Sequence, residues 1–353
     1  MPLFTSQKPF LIAGPCSAES EEQMLEIAHA FQHMPVHMIR AGIWKPRSRP
    51  GHFEGIGEKG LAWLKQVKQI AQKPICIEVA NKEQVALALK YDIDAVWLGA
   101  RTTVNPILVQ EIADALQGTS LAVLVKNPVN PDIELWSGAI ERLQQKNIQD
   151  IAAIHRGFST YDTHSKYRNK PLWAIPIELK RRYPKLPIYC DVSHITGKRD
   201  LIAPIAQRAM DLDFDGLMIE THPNPDVALS DALQQITPHA LATIIAQLVL
   251  KKKSVESDIE IENIRQTLDS MDAEIIEIIG KRMELVKELG KIKAQNNIAI
   301  FQQERWREIV ESRTMWGESN QLNAEFILRL FELIHDKSIK TQIEVLNQQS
   351  NHS

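Results

Sequence analysis

The chain has 353 residues, 44% of them hydrophobic and 24% charged, with a formal net charge of -3. That length allows two domains and a large core, and that charge balance argues against nucleic acid as a general partner. Three cysteines far apart in sequence make no disulfide framework, no signal-peptide pattern opens the chain, and no apolar run reaches the roughly 18 residues of a membrane span, so a cytoplasmic protein off the membrane is expected.

A composition shift divides the chain. All 18 prolines lie at or before Pro238, and 12 of the 15 glycines lie before residue 250. The expected layout is one domain over 1–250, a linker over 251–257 and a helical domain over 258–353. In the first part, apolar runs end at Ile12-Ala13, Ile39-Arg40, Ile77-Glu78, Trp97-Leu98, Val125-Lys126, Ile154-His155, Cys190-Asp191 and Ile219-Glu220. Helix-like stretches lie between most of them, over 21–34, 60–72, 82–90 and 107–116. Eight strands alternating with helices over about 250 residues predict an α/β fold, a (β/α)8 TIM barrel. A doubly wound sheet is the alternative, but no GxGxxG follows the first strand.

The strand ends carry the chemistry. The clearest is Pro187–Arg199, where an apolar run climbs to Asp191 and breaks into Ser193, His194, Thr196, Gly197, Lys198 and Arg199. Four candidate metal ligands sit at strand ends or just after them: Cys16, His194, Glu220 and Asp231. This mixed donor set suits one divalent transition metal, Mn, Fe, Co or Zn, with Asp191 and His222 as alternative ligands or supporting partners. Arg40, Lys45, Arg47, Arg101, Lys126 and Arg156 follow apolar strands in the same way. Six cations converging at strand ends imply substrates with several negative charges, since arginine suits phosphate and carboxylate.

Gly-Pro-Cys-Ser, Lys-Pro-Arg-Ser, Gly-Ala-Arg, Val-Lys-Asn-Pro, His-Arg-Gly, Asp-Val-Ser-His and Ile-Glu-x-His-Pro occur in this order over residues 8–245. Together they closely resemble the 3-deoxy-D-arabino-heptulosonate 7-phosphate (DAHP) synthases, in particular the short type Iβ branch. The resemblance implies a barrel with one divalent metal that condenses phosphoenolpyruvate with erythrose 4-phosphate. Carried over by position, Cys16, His194, Glu220 and Asp231 ligate the metal. Arg101, Lys126 and Arg156 hold phosphoenolpyruvate with Arg40 and Lys45 beside them, and Pro46, Arg47 and Ser48 bind erythrose 4-phosphate. Lys45 is the expected proton donor to the aldehyde oxygen. The rival family makes octulosonate 8-phosphate, but it typically shows Lys-Ala-Asn-Arg where this chain has Lys45-Pro46-Arg47. A first strand starting by residue 9 leaves no room for the N-terminal regulatory extension of many relatives.

The last part predicts three helices, over 258–293, 303–315 and 321–348. In the first, Ile264, Leu268, Met271, Ile275, Ile278, Leu285, Leu289 and Ile292 form a seam at three-four spacing. A helix on the order of 50 Å long needs a partner along its length, so a homodimer is expected. Arg282 interrupts the seam, which implies an acidic partner or an anionic ligand. Lys293 lies eleven residues on, about 20° around the helix, and can address the same ligand. Arg265 lies 17 residues before Arg282, about 100° away, and would more readily reach a second copy.

The stretches 264–272 and 280–293 resemble the all-helical class of chorismate mutases, whose intertwined dimer binds chorismate with cationic side chains. The resemblance implies Arg265 as the arginine crossing between protomers, with Arg282, Lys293 and Arg305 as further contacts and Ser338 and Gln342 as a third-helix pair. Two positions depart from that family: Trp306 stands where Glu is usual, and Gln302 stands at the acidic position before it. The joint implication is a bifunctional enzyme of aromatic amino acid biosynthesis. A helical domain that chiefly senses prephenate or chorismate, with prephenate inhibiting the synthase, is the alternative.

Overall fold

The structure is a computed structural model that describes all residues except 1, 5–7, 46–50, 52, 162–164, 251–258 and 351–353, and the side chains of 259, 260, 349 and 350. The chain forms two compact units, Met1–Lys253 and Ser254–Ser353.

The first unit is a closed barrel of eight parallel strands in chain order. They are β1 (Phe10–Gly14), β2 (Met38–Ala41), β3 (Ile75–Val79), β4 (Ala95–Leu98), β5 (Ala122–Lys126), β6 (Ile151–His155), β7 (Ile188–Asp191) and β8 (Gly216–Glu220). The helices between and after them are α1 (Glu21–Phe31), α2 (Glu58–Ala71), α3 (Lys82–Lys90), α4 (Ala100–Thr103), α5 (Pro106–Leu116), α6 (Ile133–Gln145), α7 (Ala174–Arg182), α8 (Val192–Thr196), α9 (Ile202–Asp211) and α10 (Pro238–Gln247). Each expected strand end falls within a residue of an observed one. The strands read as continuous apolar runs because both their faces are buried. Side-chain oxygens of Ser20, Asn81, Asn105, Asp132 and Thr237 cap helix N-termini.

Period-two alternation sorts the strand residues into two cores. Phe10, Ile12, Met38, Cys76, Trp97, Leu124, Ile154, Tyr189 and Met218 fill the barrel interior. Leu11, Ala13, Ile39, Ile77, Val125, Ala153, Cys190 and Ile219 face the helices. Two residues on from Met38, Cys76, Leu124, Tyr189 and Met218 stand Arg40, Glu78, Lys126, Asp191 and Glu220. The pleat therefore sets these five charged residues on the interior face, at the C-terminal rim of the barrel. His155 continues the opposite set, and its ring lies among those of Trp136, Phe158, Trp173 and Phe214. Burial pushes its pKa down to about 3, so it is a neutral core residue.

The second unit holds α11 (Ile259–Gln295), α12 (Gln303–Ser319) and α13 (Ala324–Ser350). The observed helices begin within three residues of the expected starts and end two to four residues beyond the expected ends. The eight seam residues from Ile264 to Ile292 are 44 to 65% exposed. Among the described residues no helix is long and apolar enough to cross a membrane.

Candidate active sites

At the barrel rim, Cys16 follows β1 and is fully buried. Its Sγ lies 3.4 Å from Asp231 Oδ2, and its amide donates to Gln235 Oε1 at 2.9 Å. The ligand atoms of Cys16, Glu220 and Asp231 all lie within 4.8 Å of one another. Burial, reinforced by the Glu220 carboxylate, pushes the Cys16 thiol up to about 12. Glu220 Oε1 and Oε2 sit on Arg40 (3.0 Å) and Gln234 (2.6 Å). Although burial opposes ionisation, His194 and Arg40 hold Glu220 below the usual carboxylate range. A thiol and two carboxylates crowded out of water fit a divalent cation, which relieves their mutual repulsion and takes the thiol as thiolate.

His194 stands just outside that group of three. It lies on α8, where Asp191 caps the helix and binds the ring Nδ1 at 2.9 Å. Nδ1 is 3.8 Å from Glu220 Oε1. Burial lowers the His194 pKa against the pull of Asp191. Asp191 on Nδ1 leaves Nε2 for coordination, the usual carboxylate–histidine arrangement. Ser193 accepts the amide of Glu220 at 2.9 Å, tying α8 to the end of β8. His222 Nε2 is 3.6 Å from Glu19 Oε2, so this alternative ligand is turned to a different carboxylate.

The cations surround the same place. A cavity of about 110 Å³ is lined by Lys45, Arg101, Lys126, Arg156, His194 and Asp231, among others. Arg40 lies beneath, 1% exposed, stacked at 5.0 Å over Trp97. Lys126 pairs with Asp191 at 2.7 Å. Burial opposes charge on Lys45, but Cys16 and Glu220 outweigh it and its pKa is raised. Burial lowers Arg156 to about 10, its NH1 held by Asn169 Oδ1 at 2.9 Å. Gly42 keeps this crowding possible, because a Cβ there would come within 2.1 Å of the Cys16 carbonyl and 3.0 Å of Lys45 Nζ. Pro46, Arg47 and Ser48 lie outside the described residues.

Sequence reasoning missed several neighbours. Arg168, from the loop after β6, reaches Asp231 at 3.0 Å and Gln234 at 2.6 Å, and lines the same cavity. Glu78 is also on the wall, and its carboxylate fills the space that a Cβ on Gly99 would need. The β3 pattern could have revealed Glu78. Nothing in the loop around Arg168 sets it apart from surface arginines.

In the helical unit, a cavity of about 310 Å³ gathers Arg282, Lys293, Arg305, Ser338 and Gln342. Arg282 NH1 donates to Ser338 Oγ at 2.7 Å, and Lys293 Nζ to the Ile300 carbonyl at 2.6 Å. Burial lowers both pKa values, with nearby Arg313 adding to the effect on Arg282. Arg305 is paired with Glu308 on its own helix at 2.8 Å. Gln342 donates from Nε2 to the Ser338 carbonyl, while its buried Oε1 has no hydrogen-bond partner among the described residues. Arg265 does not line the cavity; it is 70% exposed, about 25 Å along α11 from Arg282 at 1.5 Å per residue. Arg313 and His335 line it as well, unforeseen from sequence. His335 lies three residues before Ser338, and that helical spacing could have found it.

The model of the DAHP synthetase I family matches residues 5–257, and that of chorismate mutase type II matches residues 264–343. A phospho-2-dehydro-3-deoxyheptonate aldolase of Thermotoga maritima is 31% identical over 226 residues, 64% of this chain and 64% of that protein, so the chain spans less than two thirds of that relative. A 2-dehydro-3-deoxyphosphooctonate aldolase of Desulfotalea psychrophila is 26% identical over 271 residues, 71% of this chain and 92% of that protein. The crystal structure of the Thermotoga maritima DAHP synthase has a TM-score of 0.61 at 29% identity, covering 68% of this chain and 67% of that one. By these matches the chain belongs to the DAHP synthetase I family and carries a chorismate mutase type II domain after its barrel.

Proposed function

We propose that the barrel condenses phosphoenolpyruvate with erythrose 4-phosphate to DAHP, and that the helical unit rearranges chorismate to prephenate. The observation that carries the first half is the meeting of two opposite charge sets at one rim. Cys16, Glu220 and Asp231, with His194 beside them, face a wall of Lys45, Arg101, Lys126 and Arg156. Such a rim suits an anionic substrate held against a cation.

In this reading Cys16, His194, Glu220 and Asp231 hold one divalent metal, Mn, Fe, Co or Zn, which when bound supplies Lewis-acid polarisation of the aldehyde. Arg101, Lys126 and Arg156 bind the phosphate and carboxylate of phosphoenolpyruvate, with Arg40 and Lys45 beside them. The methylene carbon of phosphoenolpyruvate attacks the aldehyde carbon, and a carbon–carbon bond forms. Lys45, kept protonated by its acidic neighbours, gives its proton to the aldehyde oxygen. Water adds to the cationic carbon and loses a proton; the carbon–oxygen bond to phosphate then breaks, the departing phosphate keeping the bonding pair and taking up the new hydroxyl's proton as the ketone forms. Pro46, Arg47 and Ser48 are assigned to the erythrose 4-phosphate end. If Lys45→Met kept near-normal turnover, Lys45 would not be the proton donor.

In the helical unit, Arg282, Lys293 and Arg305 take the anionic groups of chorismate, and Ser338 and Gln342 complete the third-helix side. The rearrangement is pericyclic and needs no general acid or base. Holding the reactive conformer and setting cations at the breaking ether is enough. The exposed seam of α11 and the remoteness of Arg265 support a homodimer in which Arg265 of one copy completes the cavity of the other. Trp306, where the family usually has Glu, favours a second role in sensing prephenate or chorismate. Synthase assays with prephenate, on wild type and on Arg282→Ala, test that role, and no inhibition of the wild type removes it.

The test of the main proposal is an assay of full-length protein with phosphoenolpyruvate and erythrose 4-phosphate, before and after chelation. Activity that survives metal removal would break the ligand assignment. A preference for a five-carbon aldose phosphate would move the barrel to the octulosonate branch.

A further inference from the structure

His335 is the residue of the helical cavity that its cations do not explain. It sits on α13 three residues before Ser338 and seven before Gln342, so the three share one helical stripe. Its ring is stacked on Trp306 with centroids 4.2 Å apart and planes 24° apart, and Phe301 closes another side edge-on at 6.1 Å. Nε2 is shut from solvent and has no hydrogen-bond partner among the described residues. A buried imidazole nitrogen without a partner is costly, and a ligand group that supplies one recovers that cost.

The ligand chemistry follows from what the other residues can do. Arg282, Lys293 and Arg305 match two carboxylates and the ether oxygen on which charge develops. A neutral hydroxyl gains little from a cation that a carboxylate can have instead. His335 is a neutral donor and acceptor on the same wall, and the Trp306 ring fixes its plane. We propose that His335 hydrogen-bonds the ring hydroxyl of a cyclohexadiene dicarboxylate in this cavity. Trp306, stacked against the imidazole, serves as its platform. The proposal rests on the mutase reading of the helical unit.

The experiment uses full-length protein with two probes, chorismate and its analogue lacking the ring hydroxyl, and measures dissociation constants and mutase kcat/KM. Wild type is expected to prefer chorismate by about tenfold or more, since the analogue leaves His335 unpaired. His335→Leu is expected to lose that preference while holding the analogue as tightly as wild type, which shows an intact cavity. His335→Gln is expected to restore the preference in part. A preference unchanged in His335→Leu, or an equal loss of both ligands, overturns the proposal and leaves the mutase reading standing. Wild type that neither binds nor turns over chorismate overturns the mutase reading itself.

Discussion

The barrel rim and the helical cavity both gather cations, but they hold them differently. At the rim nearly every charge has an opposite within one chain: Arg40 on Glu220, Lys126 on Asp191, Arg168 on Asp231. Burial is outweighed at Arg40, Lys45 and Arg168, which are held above their ordinary pKa, and wins at Arg156, lowered to about 10. In the helical cavity Arg282 and Lys293 lean on a hydroxyl and a carbonyl, and burial lowers both. The cations of the rim are thus largely paired before any substrate arrives, and its thiol and carboxylates are placed where a divalent cation would fit. The cavity keeps surplus positive charge that an anionic ligand must balance. It also stands beside an apolar seam that one chain leaves exposed.

Substitutions separate the two sites by size of effect. Cys16→Ala removes a proposed metal ligand and is expected to cost synthase turnover roughly 10³-fold or more, with mutase turnover unchanged. Equal loss of both activities would show that the sites are not independent. Arg282→Ala is expected to lower mutase kcat/KM by about 10²–10³-fold and leave synthase turnover in place, read from the two assays side by side. Asp191→Asn leaves His194 and Lys126 without their shared carboxylate. Metal affinity, measured by competition with a chelator, should fall by about 10–100-fold.

A smaller, graded effect is expected from pH. With the thiol of the metal-free protein pushed up to about 12, binding a divalent metal must displace its proton. Affinity should therefore tighten as pH rises through the neutral range, with measurable proton release on metal addition. Pairing no proton release with pH-independent affinity would exclude Cys16 as a thiolate ligand. The smallest effect is on stability: a saturating dicarboxylate, at about 100 times its dissociation constant, should stabilise the helical unit by about 2.7 kcal/mol in thermal melts.

The barrel was legible because its strands are buried on both faces and therefore apolar without interruption, so Lys126, Asp191 and Glu220 stood out where the runs stopped. Arg40 stood out one residue earlier than the strand's end. His194 was legible as loop chemistry, but its tilt onto Asp191, and hence its place beside the ligand cluster, depends on the turn of α8. Arg168, Gln234 and Gln235 come from loops whose composition resembles any surface. In the helical unit Arg282 was visible as a break in an apolar stripe, and Lys293 followed from the angle. His335 was open to the same kind of reading, three residues before Ser338 on one helix, but only its stacking on Trp306 sets it apart from the exposed charges around it.

The contrast between a self-contained rim and a cavity proposed to be shared by two copies is tested most directly by mixing inactive chains. Arg265→Ala and Arg282→Ala proteins, unfolded and refolded together, form mixed dimers in which one of two cavities has both arginines intact. Mutase activity should then return to about a quarter of wild type, since half the dimers are mixed and each holds one whole site. The same mixing of Cys16→Ala with Arg156→Ala should return no synthase activity. Mutase activity that stays absent on mixing, or synthase activity that returns, would contradict the account.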